Sequence, residues 1–357
     1  MKALLMLEDG KTFIGLGIGV KEEKIGEVIL NTAVVGYQEM MTDPANAGKI
    51  LILTYPLIGN YGTAPKFNES SRAWLAGLVI KEKSNMYSNW QATQSFDDFV
   101  KDNNLLAISK VDTRTLAVHI RQKGQMYGII STQCFEPKEL KLKIERFRAQ
   151  APESILAQIS VKKPTRAGRV KGKHKIAVLD LGITQSIITQ LERLNCALTL
   201  LPYNTPTSEI IRLKPGGLVI SGGPEEDTQL RIAQENIKPL IGKIPLLGIA
   251  TGHQVLARSL GGRTTKLKVG HHGVNYPIHY PTSFKGEVTV QNHSYSVDED
   301  SFSKIKEVKI TAYNLNDRTV EAIESKKLKL LGVQYNPASP GFEEVHSVLT
   351  HFIKMVS

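Results

Sequence analysis

Ten consecutive residues constrain this chain more than any other stretch: Pro245-Leu246-Leu247-Gly248-Ile249-Ala250-Thr251-Gly252-His253-Gln254. An apolar strand runs into a Gly-x-X-x-Gly turn and straight into a helix. That is the geometry of a nucleophile elbow, in which glycines at −2 and +2 make room for a strained central residue. The helix N-terminus behind the turn offers unpaired backbone N–H groups and positive potential to a developing oxyanion. A tight strand–helix turn of an α/β domain would account for Gly248 and Gly252 without any chemistry.

The neighbouring sequence has the same strand–turn–helix grammar. Lys175–Leu181 reads as an apolar strand, followed by a helix with Ile187, Ile188, Leu191 and Leu194 on one face. Strands Ala197–Leu201, Gly217–Ser221 and Pro245–Ile249 come next, then a helix from Gly252 to Leu260 stopped by Gly261-Gly262. A last helix turns Val345, Val348, Leu349, Phe352 and Val356 inward. Apolar strands alternating with amphipathic helices imply an α/β domain over residues 175–357, with a mainly parallel, helix-flanked sheet.

Residues 1–153 read differently, as a strand-rich mixed domain. Short strand-like runs at Lys2–Leu7, Thr12–Gly15, Glu27–Leu30, Ile50–Tyr55 and Gly77–Ile80 alternate with turns. A helix is expected from an N-cap at Asp112, through Leu116 and Ile120, to a stop at Gly124. Between the domains, residues 154–174 read as a basic linker. Lys162, Lys163, Arg166, Arg169, Lys171, Lys173 and Lys175 have no acidic neighbour, and Pro164, Gly168 and Gly172 break any helix.

Those seven cations hold more than half of the formal net charge of +11. No aromatic residue interleaves with them, as a single-strand binding platform requires, so no nucleic-acid partner is expected. No stretch approaches the roughly 18 apolar residues of a membrane span, and Met1–Leu7 is too short for a signal-peptide core. A soluble cytoplasmic protein without a membrane partner follows. Cys134 and Cys196 make neither a disulfide framework nor a metal-ligand spacing, and Cys196 opens a buried strand as a small hydrophobe. His253, His271, His272 and His293 show no metal pattern, so structural hydrogen bonds are expected of them and no metal is.

The elbow resembles that of class I glutamine amidotransferases, Gly-Ile-Cys-x-Gly-x-Gln, in Gly248, Ile249, Gly252, His253 and Gln254. Further segments resemble the small subunit of carbamoyl phosphate synthetase. They include Leu7-Glu8-Asp9-Gly10, Gly36-Tyr37-Gln38-Glu39, Thr42-Asp43-Pro44, Thr54–Gly62, Asp112-Thr113-Arg114, Gly270–Asn275 and Gln291-Asn292-His293. The matches keep their order through both domains, and other amidotransferases share the glutaminase fold without the N-terminal domain. The resemblance implies a heterodimer with a large subunit, which alone would bind ATP and magnesium; no cofactor is expected on this chain. In the family an elbow cysteine attacks the glutamine amide, activated by a histidine that a glutamate orients. The ammonia released passes to the large subunit for carbamoyl phosphate, which would feed arginine or pyrimidine synthesis.

This chain departs from the pattern where the chemistry lies. The nucleophile position is Ala250, which has no heteroatom. The family's His-Pro-Glu-Ala-Ser-Pro-Gly appears as Asn336-Pro337-Ala338-Ser339-Pro340-Gly341, so Asn336 replaces the base and Ala338 is nearest the missing glutamate. Of the substrate contacts that the resemblance implies, Gly223, Gln254 and Asn292 are retained. Five others are altered: Ala45 stands for serine, Glu225 for glycine, Ser294-Tyr295 for Gly-Phe, and Thr251 beside the elbow carries a hydroxyl without an identified base. The expected function is a small subunit unable to hydrolyse glutamine, serving as structural or regulatory partner of an ammonia-using large subunit. A stand-alone pseudo-amidotransferase that binds glutamine or a related amide is the alternative.

Overall fold

A computed structural model of the chain describes residues 1–150, 154–283, 285–302, 305–338 and 344–356. It divides into two compact units, Met1–Glu153 with Lys268–His272, and Ser154–Leu267 with Gly273–Ser357. The segment Ser339-Pro340-Gly341 lies outside the described residues. Among those described, no helix is long and apolar enough to cross a membrane.

In the first unit a barrel closes in the order Lys2–Leu7, Thr12–Gly19, Leu106–Ser109, Gly77–Val79, Ile50–Leu53, Glu23–Asn31 and Tyr127–Ser131. Alternation explains why the first strand is apolar throughout. Leu5 and Leu7 enter one core with Val28, Ile50 and Leu106, while Leu4 and Met6 enter another with Leu140 and Ile144. A strand covered on both faces has no side reserved for polar residues. The helix expected after Asp112 is Thr113–Lys123: the Asp112 carboxylate accepts from the Thr115 N–H at 3.0 Å, and Gly124 ends it at φ +98°.

Among the described residues, the second unit is built on a ten-stranded sheet. Its centre is parallel, running Cys196–Pro202, His174–Asp180, Gly217–Ile220, Leu246–Ile249 and Leu330–Val333. Antiparallel strands Val320–Ser325, Lys285–Val297, Thr264–Tyr280 and Lys309–Asn314 extend one side. These carry alternating or polar residues, so apolar runs do not announce them. The helices Gln185–Arg193, Thr251–Ser259 and Ser347–Val356 bury Ile187, Leu256 and Phe352 against the sheet. Cys196 is buried at the start of its strand, where burial pushes its thiol up to about 12.

Residues 154–174 are not a free linker, and the expectation of one needs correcting. Ile155–Ile159 is helical, with the Ser154 hydroxyl accepting from the Ala157 N–H at 3.1 Å and Leu156 fully buried. The Asp227 carboxylate receives the Leu156 N–H at 2.7 Å, and the Asp180 carboxylate receives the Val161 N–H at 2.9 Å. Thr165–Ala167 then pairs antiparallel with Cys196–Pro202 as the sheet's outer strand. A short outer strand exposes one backbone edge to water, where charged residues are favoured. The basic composition that suggests a linker therefore also suits this position.

Candidate functional site

The centre of the site is Ala250, between the strand Leu246–Ile249 and the helix Thr251–Ser259. Its backbone lies at φ +50°, ψ −113°, the strained conformation expected of an elbow. A Cβ on Gly252 would lie 2.0 Å from the Ile220 carbonyl oxygen, and one on Gly248 2.6 Å from the Gly252 carbonyl oxygen. Both glycines are thus demanded by packing, whatever residue stands between them. The Ala250 N–H donates to the Val333 carbonyl at 2.8 Å, and its carbonyl accepts from the Gln254 N–H at 3.2 Å, which holds the turn in place.

A non-glycine residue in such backbone costs about 1–3 kcal/mol. With no nucleophile to present, that strain has no chemical return here. Ala250→Gly is therefore expected to raise stability by about 1 kcal/mol, although the same change inside an ordinary helix costs about that much. Thermal unfolding checks the sign; a lower melting temperature would contradict the strain argument.

The side chains at the expected base position and at the neighbouring hydroxyl both make internal hydrogen bonds. The Asn336 N–H donates to the Val290 carbonyl at 2.9 Å, and its side-chain Oδ1 accepts from the Ala338 N–H at 3.0 Å. The asparagine side chain is thus turned into its own backbone, as asparagine commonly does in turns. Ala338 is buried in the apolar core behind it. Thr251 is buried, and its hydroxyl donates to the Gly223 carbonyl at 2.5 Å. Gly223 itself is fixed by close approach, since a Cβ there would lie 1.8 Å from the Leu181 carbonyl oxygen.

The largest departure from a ligand-ready cleft is Glu225, which is 6% exposed. Its carboxylate accepts from Gln254 Nε2 at 2.6 Å, from the Ser294 N–H at 2.6 Å and from the Tyr295 N–H at 3.2 Å. A buried carboxylate is tolerated because such charge-assisted bonds replace its water. Gln254 Nε2 is also within reach of the Tyr295 carbonyl at 3.1 Å and Gln334 Oε1 at 3.3 Å, so its donors have internal partners. Four of the positions expected to contact substrate, Glu225, Gln254, Ser294 and Tyr295, are therefore brought together around one carboxylate. Asn292 is half-buried on the same strand, Lys285–Val297. Ala45 belongs to the first unit, in the turn Pro44–Asn46, where its N–H donates to the Asp43 carboxylate at 2.9 Å.

The histidines do not behave alike. His293 pairs with the Tyr295 carbonyl at 2.9 Å and with Gln291 Oε1 at 3.1 Å, and its ring lies within 4.8 Å of ligand atoms of His271 and Glu321. His272 lies 2.9 Å from Gln125 Nε2. His253, the third residue of the elbow helix, is fully buried, and among the described residues neither ring nitrogen has a hydrogen-bond partner. Burial alone holds its pKa down at about 3, which favours a neutral ring at ordinary pH. Sequence reasoning missed Glu225 as an internal ligand. The signal was present as an acidic residue in a glycine's place, opposite a retained glutamine.

Residues 5–130 match the model of the carbamoyl-phosphate synthase small chain, CPSase domain, and residues 177–355 match that of glutamine amidotransferase class-I. The carbamoyl phosphate synthase small chain of Syntrophotalea carbinolica is 37% identical, the alignment covering 100% of this chain and 98% of that protein. That of Listeria monocytogenes is 38% identical over 100% of this chain and 97% of its own length. Among solved structures, the glutaminase domain of Trypanosoma brucei CTPS is 17% identical over 52% of this chain and 94% of its own, with a TM-score of 0.41.

Proposed function

The chain belongs to the carbamoyl phosphate synthase small-chain family, and from that premise we propose that it is a small chain unable to hydrolyse glutamine. It acts as the structural or regulatory partner of a large subunit that uses free ammonia and carries the ATP and magnesium sites. The observation that carries this reading is Ala250 at the tip of an intact elbow. A methyl group cannot form the thioester through which an elbow nucleophile works. Asn336, turned into its own backbone, and Thr251, hydrogen-bonded to Gly223, supply no alternative pair. Full-length similarity to small chains, including the N-terminal region, supports retention of the large-subunit interface. The cytoplasm is the compartment proposed for the complex.

The test is to measure carbamoyl phosphate synthesis from each nitrogen donor after co-expressing the chain with its large subunit. Ammonium is expected to support synthesis and glutamine is not, while the two chains purify together. Glutamine-dependent synthesis by the pair would reject the inert reading. Failure of the chains to associate would favour the stand-alone binding protein.

A further inference from the structure

The Glu225 carboxylate is buried beside the elbow helix. Three of its donors, Gln254 Nε2 and the Ser294 and Tyr295 N–H groups, belong to positions that the resemblance implies would contact substrate. The loop that carries it is tied down on both sides. Glu226 accepts from the Tyr295 hydroxyl at 2.7 Å and from Lys266 Nζ at 2.6 Å. Asp227 accepts from the Ser154 hydroxyl at 2.9 Å and the Leu156 N–H at 2.7 Å. At the loop's start, the Thr251 hydroxyl holds the Gly223 carbonyl. Three successive acidic residues thus make separate anchoring contacts, and the first of them points inward.

We propose that Glu225 is a built-in ligand: its carboxylate fills the cradle of the Gln254 amide and the Ser294 and Tyr295 N–H groups and closes the cleft to free amino acids. Removing the side chain converts the cradle into a binding site for a small carboxylate such as L-glutamate or L-glutamine. The inference rests on reading this cleft as a former glutamine site, and deepens it. The cleft is then blocked by occupancy as well as by loss of the nucleophile. A tethered carboxylate competes at an effective concentration of the order of millimolar or more, without the association cost that a free molecule bears.

Calorimetric titration of the full-length chain with L-glutamate and with L-glutamine tests this. The unsubstituted protein is expected to bind neither, and Glu225→Gly is expected to bind at least one roughly tenfold or more tightly, set by the lost competition. Tight binding by the unsubstituted chain, or a folded Glu225→Gly that binds no better, would overturn the proposal. Amide hydrogen exchange on the unsubstituted chain provides a readout that needs no variant. Ser294 and Tyr295 are expected to exchange slowly without any ligand, and exchange as fast as open loops would also overturn it. Assaying ammonia release in the same samples separates this proposal from the inert reading. Binding with hydrolysis by Glu225→Gly would uphold the built-in ligand and reject the inert reading; neither binding nor hydrolysis would do the reverse.

Discussion

Placing a cysteine alone at the elbow, Ala250→Cys, is expected to leave glutamine hydrolysis within about tenfold of the unsubstituted chain, because triad members act as a unit. Asn336, at the expected base position, would not activate the new thiol. The side chain of Asn336 is committed to the Ala338 N–H, and an amide does not take up a proton at useful pH. It would also face a cleft already occupied by the Glu225 carboxylate. Loss of a complete triad costs about 10⁶ in kcat, and one restored member recovers little of that.

Combining Ala250→Cys, Asn336→His and Glu225→Gly is expected to raise turnover by about 10² over any single variant. Absence of the orienting carboxylate alone costs roughly 10⁴, so the full rate would not return. Steady-state ammonia release from glutamine measures both. A single Ala250→Cys chain that turned over like an intact glutaminase would show that another base reaches the elbow, and would overturn this expectation.

A second large effect is expected at His253, in the stability of the fold as pH falls. The ring is fully buried, without a hydrogen-bond partner among the described residues, and its pKa is held down at about 3 from 6.5. The unfolded chain therefore binds a proton below about pH 6.5, while the folded chain does not until about pH 3. The stability this group supplies is present above the unfolded value and is lost as pH falls toward the folded one. At 1.36 kcal/mol per pH unit, the loss between pH 7 and pH 4 is about 3 kcal/mol.

His253→Leu removes the titration without removing a hydrogen bond. Its stability is expected to match or exceed that of the unsubstituted chain at pH 7 and to lead by about 3 kcal/mol more at pH 4. Urea unfolding followed by circular dichroism at the two pH values measures the difference, in which the other titrating groups cancel. Parallel pH profiles would mean that the ring is solvated or paired in the folded protein. The carboxylates of Asp9 and Glu23, held below their usual range despite the opposing effect of burial, add to the acid sensitivity of both proteins.

Much of the architecture was legible in the residues alone. The helix from Asp112 to Gly124 could be read because its cap, apolar face and stop are all local. Four of the five parallel strands of the second unit could be read because both faces are covered, leaving unbroken apolar runs; Leu330–Val333 was not expected. The antiparallel extension and the outer strand Thr165–Ala167 could not. Their partners are distant in sequence and their composition resembles that of loops.

The same division runs through the site. The amino-acid sequence by itself determined that the elbow exists and that it has no nucleophile. Glycine spacing acts over a few residues, and a methyl group lacks a heteroatom in any fold. Only the tertiary structure decided what became of the cleft. Glu225 meets Gln254, Ser294 and Tyr295 across 29, 69 and 70 residues of chain, through neighbours set by sheet order. Read locally, that glutamate is a bulky, charged replacement for glycine. In the fold it is the group that fills the site, because the strand Lys285–Val297 presents two backbone N–H groups to it.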